Sequence, residues 1–170
     1  LLMIAAFHRM PLTEATAVIF ASPVLVTVLA GPLLGEKIGP IRWAAALVGF
    51  AGVWVLTRPG AGLDAVGTLF ALGAAVAYAA YQISTRALSR TESPITLLYY
   101  TALAGTVTLT LALPFLGEPH MPTPLEALEL CSLGAFGATG HFLLTLAFRE
   151  APASLLSPLV YVQLIWASII

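Results

Sequence analysis

The stretch AFHRMPLTEATAVIF at residues 6–20 comes back, altered, as AFREAPASLLSPLVY at residues 147–161. The offset is 141 residues. Ala6, Phe7 and Pro11 recur as Ala147, Phe148 and Pro152, while Thr13, Thr16 and Phe20 are matched by Ser154, Ser157 and Tyr161. A competing offset of 135 aligns Ser22-Pro23 with Ser157-Pro158, but 141 also matches the loop and both helix starts. Five apolar segments lie between the loops of the two copies, at about residues 12–34, 41–56, 64–88, 94–116 and 124–149. An odd number of membrane crossings turns the second copy upside down. That is an inverted-topology repeat, the arrangement by which many secondary transporters expose a central site to either side.

Composition supports membrane crossings. Of the 170 residues 59% are hydrophobic and 9% charged, and the mean hydropathy is +0.97. A soluble domain carries about 25% charged residues. A crossing takes roughly 20 apolar residues, so the chain has room for about seven. Net charge is −1 and the seven basic residues are scattered, which argues against a nucleic-acid partner. Cys131 stands alone, so there is no disulfide framework within the chain. The chain opens in an apolar run at 1–7 and closes in another at 164–170. We therefore expect a piece of a longer membrane protein, its first segment being the tail of another helix that ends at His8-Arg9.

Helix punctuation is explicit. Pro11 suits a first helical turn and Gly35 a C-terminal cap. Pro59-Gly60 stops the third segment. Asp64, Ser93 and Thr123 are N-cap residues. Pro114 interrupts the fifth segment near its end, and the seventh starts at Pro152. Loops one, three and five hold two basic residues, Arg9 and Arg58. Loops two, four and six hold five: Lys37, Arg42, Arg86, Arg90 and Arg149. The positive-inside rule puts the second set in the cytoplasm.

Residues 10–60, with Pro11, Glu14-Ala15, Ser22-Pro23, Leu34-Gly35-Glu36, Arg42-Trp43 and the run Gly49-Phe50-Ala51-Gly52-Val53, resemble the fourth and fifth helices of the EamA family of the drug/metabolite transporter superfamily. GHFLLTLAFREAPASLLSPLVYVQLIW at 140–166 is similar to its eighth helix and the start of its ninth. The resemblance implies an all-α polytopic membrane protein, here a fragment of a ten-helix inverted-repeat bundle from the end of helix three through most of helix nine. It implies three parts: residues 1–57 from the first repeat, an outer linker at 58–63, and residues 64–170 from the second repeat. The family contains exporters of amino acids, metabolites and drugs.

Polar residues inside spans mark candidate sites. His141 shares a helical face with Gly134, Gly137, Ala138 and Thr145, and is a candidate for substrate contact or coupling. Tyr78, Gln82 and Thr85 share a face of the fourth segment, with Tyr81 beside it. Ser157 and Tyr161 share a face of the seventh, and the repeat pairs them with Thr16 and Phe20. The substrate-cavity candidates are His141, Tyr78, Tyr161, Gln82, Phe20, Ser157 and Thr145. Glu14 is a second coupling candidate, although an acid in a first turn also complements the helix dipole. Pro23, mid-helix, is a hinge candidate. Glu36 and Lys37 read as structural turn residues. The glycines at 31 and 35, at 49 and 52, and at 134, 137 and 140 read as small faces for close helix packing.

The sequence thus predicts a secondary transporter moving small organic solutes, outward by family resemblance, through alternating access in a bacterial inner membrane. Its partners are the lipid bilayer and a small-molecule substrate, with no nucleic acid; the oligomeric state is open. The alternative is a structural or assembly membrane protein that does not transport. No HExxH or GxSxG motif or mid-span acid pair is present, so we expect no enzyme, no catalytic residue, no metal and no cofactor.

Overall fold

The computed structural model describes residues 1–57, 64–116, 121–163 and 166. Arg58, the linker at 58–63, the loop residues 117–120 and most of the apolar run at 164–170 lie outside the described residues. Among the described residues the secondary structure is helical throughout, and four helical stretches are long and apolar enough to cross a membrane: Leu12–Leu34, Ala65–Leu88, Pro94–Phe115 and Pro124–Glu150. Pro40–Val55 is a shorter apolar helix.

The helices are α1 (Leu2–Phe7), α2 (Leu12–Ile19), α3 (Ser22–Leu34), α4 (Pro40–Thr57), α5 (Ala65–Leu88), α6 (Pro94–Leu116), α7 (Pro124–Glu150) and α8 (Ala153–Leu156), followed by a 3-10 helix (Ser157–Tyr161). Caps fall where polar side chains can satisfy first-turn amides. Gly67 N–H donates to Asp64 Oδ2 at 2.7 Å. Thr96 N–H donates to Ser93 Oγ at 3.1 Å. Thr123 and Glu126 form a reciprocal capping box: Glu126 N–H to Thr123 Oγ1 at 3.3 Å and Thr123 N–H to Glu126 Oε2 at 2.7 Å. Gly35 closes α3 at φ +67°, with its N–H on Gly31 O and the Glu36 N–H on Ala30 O. A Cβ there would strain the left-handed backbone.

Three details differ from the sequence expectation. The 12–34 segment is one span but two helices, broken at Phe20 and Ala21. Pro23 is therefore not mid-helix: it lies at the second position of α3, where a proline's missing N–H is not needed. Pro114 does not interrupt α6, which runs to Leu116. The seventh segment is a short α-helix that tightens to 3-10 at Ser157-Pro158.

The chain forms two compact units, Leu1–Ala87 with Ala151–Ile170, and Leu88–Glu150. The interior of the first is built from small and polar residues. Ala6, Met10, Ala15 and Ala71 form one cluster with Phe7, Val18, Ile19 and Phe70 around it. Ala17, Phe20, Val53 and Tyr161 form a second, flanked by Phe50 and Val160. Large apolar side chains such as Leu33, Val48, Val55 and Leu69 point outward. That is the polarity a bilayer favours: lipid takes Leu and Val, while small residues let helices approach. The second unit is the α6/α7 hairpin. Residues 95–115 bury no side chain, and α7 buries only Thr145 and Phe148. Ser89 Oγ donates to Phe148 O at 3.3 Å.

The glycine faces divide likewise. A Cβ on Gly49 would run into the Tyr161 ring, so close packing holds there. Cβ atoms at Gly52, Gly134, Gly137 and Gly140 would meet nothing within 4 Å. Among the described residues, then, tight packing is seen at Gly49 and not at those four positions.

Candidate functional site

The two copies of the repeat meet in the first unit. α2 starts after Pro11 (φ −54°, ψ 146°) and α8 after Pro152 (φ −61°, ψ 146°), so the matched prolines hold matched backbone. Both segments then lose regular helix near a Ser-Pro pair. At the first break the Val24 N–H turns to Ala21 O, and the Phe20 carbonyl accepts the Tyr161 hydroxyl at 3.0 Å. The Phe20 and Tyr161 rings stack with centroids 6.1 Å apart. Phe20 and Tyr161 are 141 positions apart, the offset of the repeat. The contact therefore joins two residues that the sequence comparison pairs.

Beside it, Ser157 is fully buried. Its Oγ donates to Pro23 O at 3.4 Å and lies 3.5 Å from Thr27 Oγ1. Thr27 Oγ1 donates to the same Pro23 carbonyl at 2.9 Å. The structure thus brings together Phe20, Pro23, Ser157 and Tyr161 from the predicted set. Pro23 follows the break rather than making it, and its ring deprives the Ile19 carbonyl of an i+4 donor.

On α5 the buried stripe is Gly67, Ala71, Ala75, Ala79, Gln82 and Arg86, the i, i+3, i+4 spacing of one helical face. Gln82 has 0% exposure, yet neither Nε2 nor Oε1 has a hydrogen-bond partner among the described residues. A buried amide left so costs about 1–3 kcal/mol. Tyr78 is half-buried, with its ring stacked on Tyr81 at 6.2 Å and 27°. Glu14 is half-buried and its Oε2 is buried without a hydrogen bond among the described residues.

His141 and Thr145 belong to the second unit. His141 is exposed, and its carbonyl accepts Thr145 Oγ1 at 2.8 Å. Thr145 is buried. Among the described residues no group of three or more His, Cys, Asp or Glu could hold a metal ion.

Sequence reasoning missed Glu36. Its carboxylate caps α8 from 117 residues away: Oε1 accepts Ala153 N–H at 2.8 Å, and Oε2 accepts Ser154 N–H at 3.1 Å and Ser154 Oγ–H at 2.6 Å. Arg86 Nε lies 3.7 Å from Oε1, the two side chains being 10% and 5% exposed. Arg42 donates to Ser154 Oγ at 2.9 Å and to Lys37 O at 3.3 Å. The signals in sequence were the Leu34-Gly35-Glu36 motif and the shared charge of loops two, four and six. The ion pair and hydrogen bonds join Arg42 and Arg86 with Glu36 and Ser154 at one end of the unit. At the other end of the unit, a Cβ on Gly67 would meet Arg9 and Met10 at 3.2 Å and the capping Asp64 at 3.3 Å, so the first turn of α5 packs against residues 9 and 10.

The sequence profile of the EamA-like transporter family matches residues 1–58 and 65–170. The chain belongs to that family. This EamA-like chain is an integral membrane protein with bacterial relatives. It is 32% identical over 161 residues to a riboflavin transporter of Vibrio cholerae, covering 94% of this chain and 53% of that protein. It is 31% identical over 160 residues to an S-adenosylmethionine uptake transporter of Rickettsia bellii, covering 94% of this chain and 54% of that protein. A solved crystal structure matches with a TM-score of 0.83 at 25% identity, covering 95% of this chain and 59% of that one. The EamA-like chain spans about half the length of the curated relatives it matches.

Proposed function

We propose that this protein is a secondary transporter of small, ring-bearing organic solutes, and that the junction of Phe20 and Tyr161 lies on its pathway. The observation that carries the reading is the meeting of two interrupted helices near the middle of the Leu12–Leu34 span, with the freed Phe20 carbonyl held by Tyr161. Interrupted helices that free backbone groups inside a span are where such transporters bind cargo. Two repeats, residues 1–57 and 64–170 joined by 58–63, are supported by the family profile matching in two stretches and by the contact at the repeat offset.

Tyr78 offers a ring face and Gln82 an amide with unused donor and acceptor, a combination suited to a planar heterocycle. Relatives named for riboflavin and S-adenosylmethionine favour such cargo. The family resemblance alone suggested export. The S-adenosylmethionine relatives are named as uptake transporters, which favours inward movement across a bacterial inner membrane. Glu14 is the coupling candidate in this unit, and His141 with Thr145 a second contact region on α7.

The test is flux of radiolabelled riboflavin, S-adenosylmethionine and a panel of amino acids and drugs into proteoliposomes holding the full-length protein, in both orientations. Saturable flux of a heterocyclic solute supports transport, and its preferred direction separates uptake from export. No flux for any solute favours the structural or assembly role.

A further inference from the structure

We propose that the Glu36 carboxylate is a latch that holds the face bearing loops two, four and six shut, and that it releases α8 each time this face opens. The proposal rests on the transport reading above. Glu36 follows the end of α3, while Ala153 and Ser154 begin α8. These are the segments that also meet through Thr27 with Ser157 and through Ser157 with Pro23. From mid-span to this end, then, α3 and the seventh segment are fastened together, and a pathway to this face requires them to part.

Glu36 makes the fastening dear and specific. Both oxygens are used by three donors of one chain turn, and the left-handed Gly35 directs the chain back so that they can be. Charge-assisted bonds of this kind are about twice as strong as neutral ones. The groups facing it are Arg86 from α5 and, through the shared Ser154 hydroxyl, Arg42 from α4. Arg42 and the buried Arg86 balance the carboxylate in the closed state. A static brace would need only apolar packing here, because replacing a buried ion pair by apolar side chains is commonly neutral or stabilising.

The experiment uses the full-length protein in vesicles, with Cys131→Ala and the buried reporter Thr27→Cys. The rate of labelling by a membrane-impermeant thiol reagent is measured from each side. With Glu36 intact, labelling from the side of loops two, four and six is slow. Glu36→Gln raises it roughly tenfold from that side and leaves the other side unchanged, as expected when the closed population falls. Ser154→Ala, which removes one of the three donors, raises it by a smaller factor, about twofold to threefold on the same reasoning. A folded Glu36→Gln protein with unchanged labelling overturns the proposal. If that variant does not fold, unchanged labelling in Ser154→Ala overturns it instead. Labelling needs no cargo, so a one-sided rise without flux of any solute would keep the latch and refute the transport reading.

Discussion

The two compact units are built from the same kinds of residue and use them in opposite ways. In the first, Ala, Ser, Thr and Gln are inside, and a mid-span carbonyl, two hydroxyls and a carboxylate are tied to residues more than 100 positions away. In the second, α6 and α7 leave most side chains exposed, and beside the Ser89 hydroxyl on the Phe148 carbonyl the contacts described there include caps and hydroxyl bonds within one turn. The contrast teaches that apolarity only makes a helix at home in a bilayer. Position in the fold comes from polar and small residues, which need a partner more than Leu does. Changes in the first unit should therefore be felt through distant contacts, and equivalent changes in the hairpin should stay local.

Glycine substitution gives the largest expected difference. Gly49→Ala forces the Tyr161 ring to move and should cost about 1–3 kcal/mol, whereas Gly137→Ala, with open space around it, should stay within about 0.5 kcal/mol. Thermal unfolding of the two variants in detergent checks this; equal shifts would remove the distinction between the units. Next comes Gln82→Leu. It relieves a buried unpartnered amide and should raise stability by about 1–2 kcal/mol while lowering flux of a heterocyclic solute roughly tenfold. A variant that loses both stability and flux would make Gln82 a packing residue.

Helix caps sharpen the comparison from the other side. Thr123→Ala breaks the capping box of α7 and should cost about 1 kcal/mol, seen as faster amide exchange confined to the first turns of that helix. Exchange that also rises in α3 or α8 would contradict a local effect. The smallest effect is expected for Tyr161→Phe. The ring contact with Phe20 remains and one hydrogen bond goes, for about 0.6 kcal/mol, with flux slowed and the unfolding temperature little changed.

Much of this was legible in the sequence because its causes are local. Asp64, Ser93 and Thr123 name helix starts through atoms three residues away, and Gly35 names a helix end through its own backbone. The family and the all-helical fold were legible because motif and composition need no partner. The break at Phe20 and Ala21 was not. Pro23 marks the neighbourhood, but whether a chain kinks at a proline or restarts before it depends on what takes the freed carbonyl, and that is Tyr161. Glu36 read as a turn residue for the same reason: its partners lie at 86, 153 and 154. Of the candidate site, Phe20, Ser157 and Tyr161 were found together because the repeat linked them. His141 stood out as an ionisable group in a span, yet its side chain is exposed on α7.

The central claim is that the Phe20–Tyr161 junction lies on the transport pathway, which requires the two segments to part there. It is tested most directly by joining them. In a Cys131→Ala background, Phe20→Cys and Tyr161→Cys are combined in the full-length protein, and solute flux is compared in the same proteoliposomes before bridging by a short bifunctional methanethiosulfonate, after bridging and after reduction. The account predicts that the bridge forms, that flux falls roughly tenfold or more, and that reduction restores it. A cross-linked protein that transports as fast as its reduced form would show that the copies stay together there, and would contradict the account.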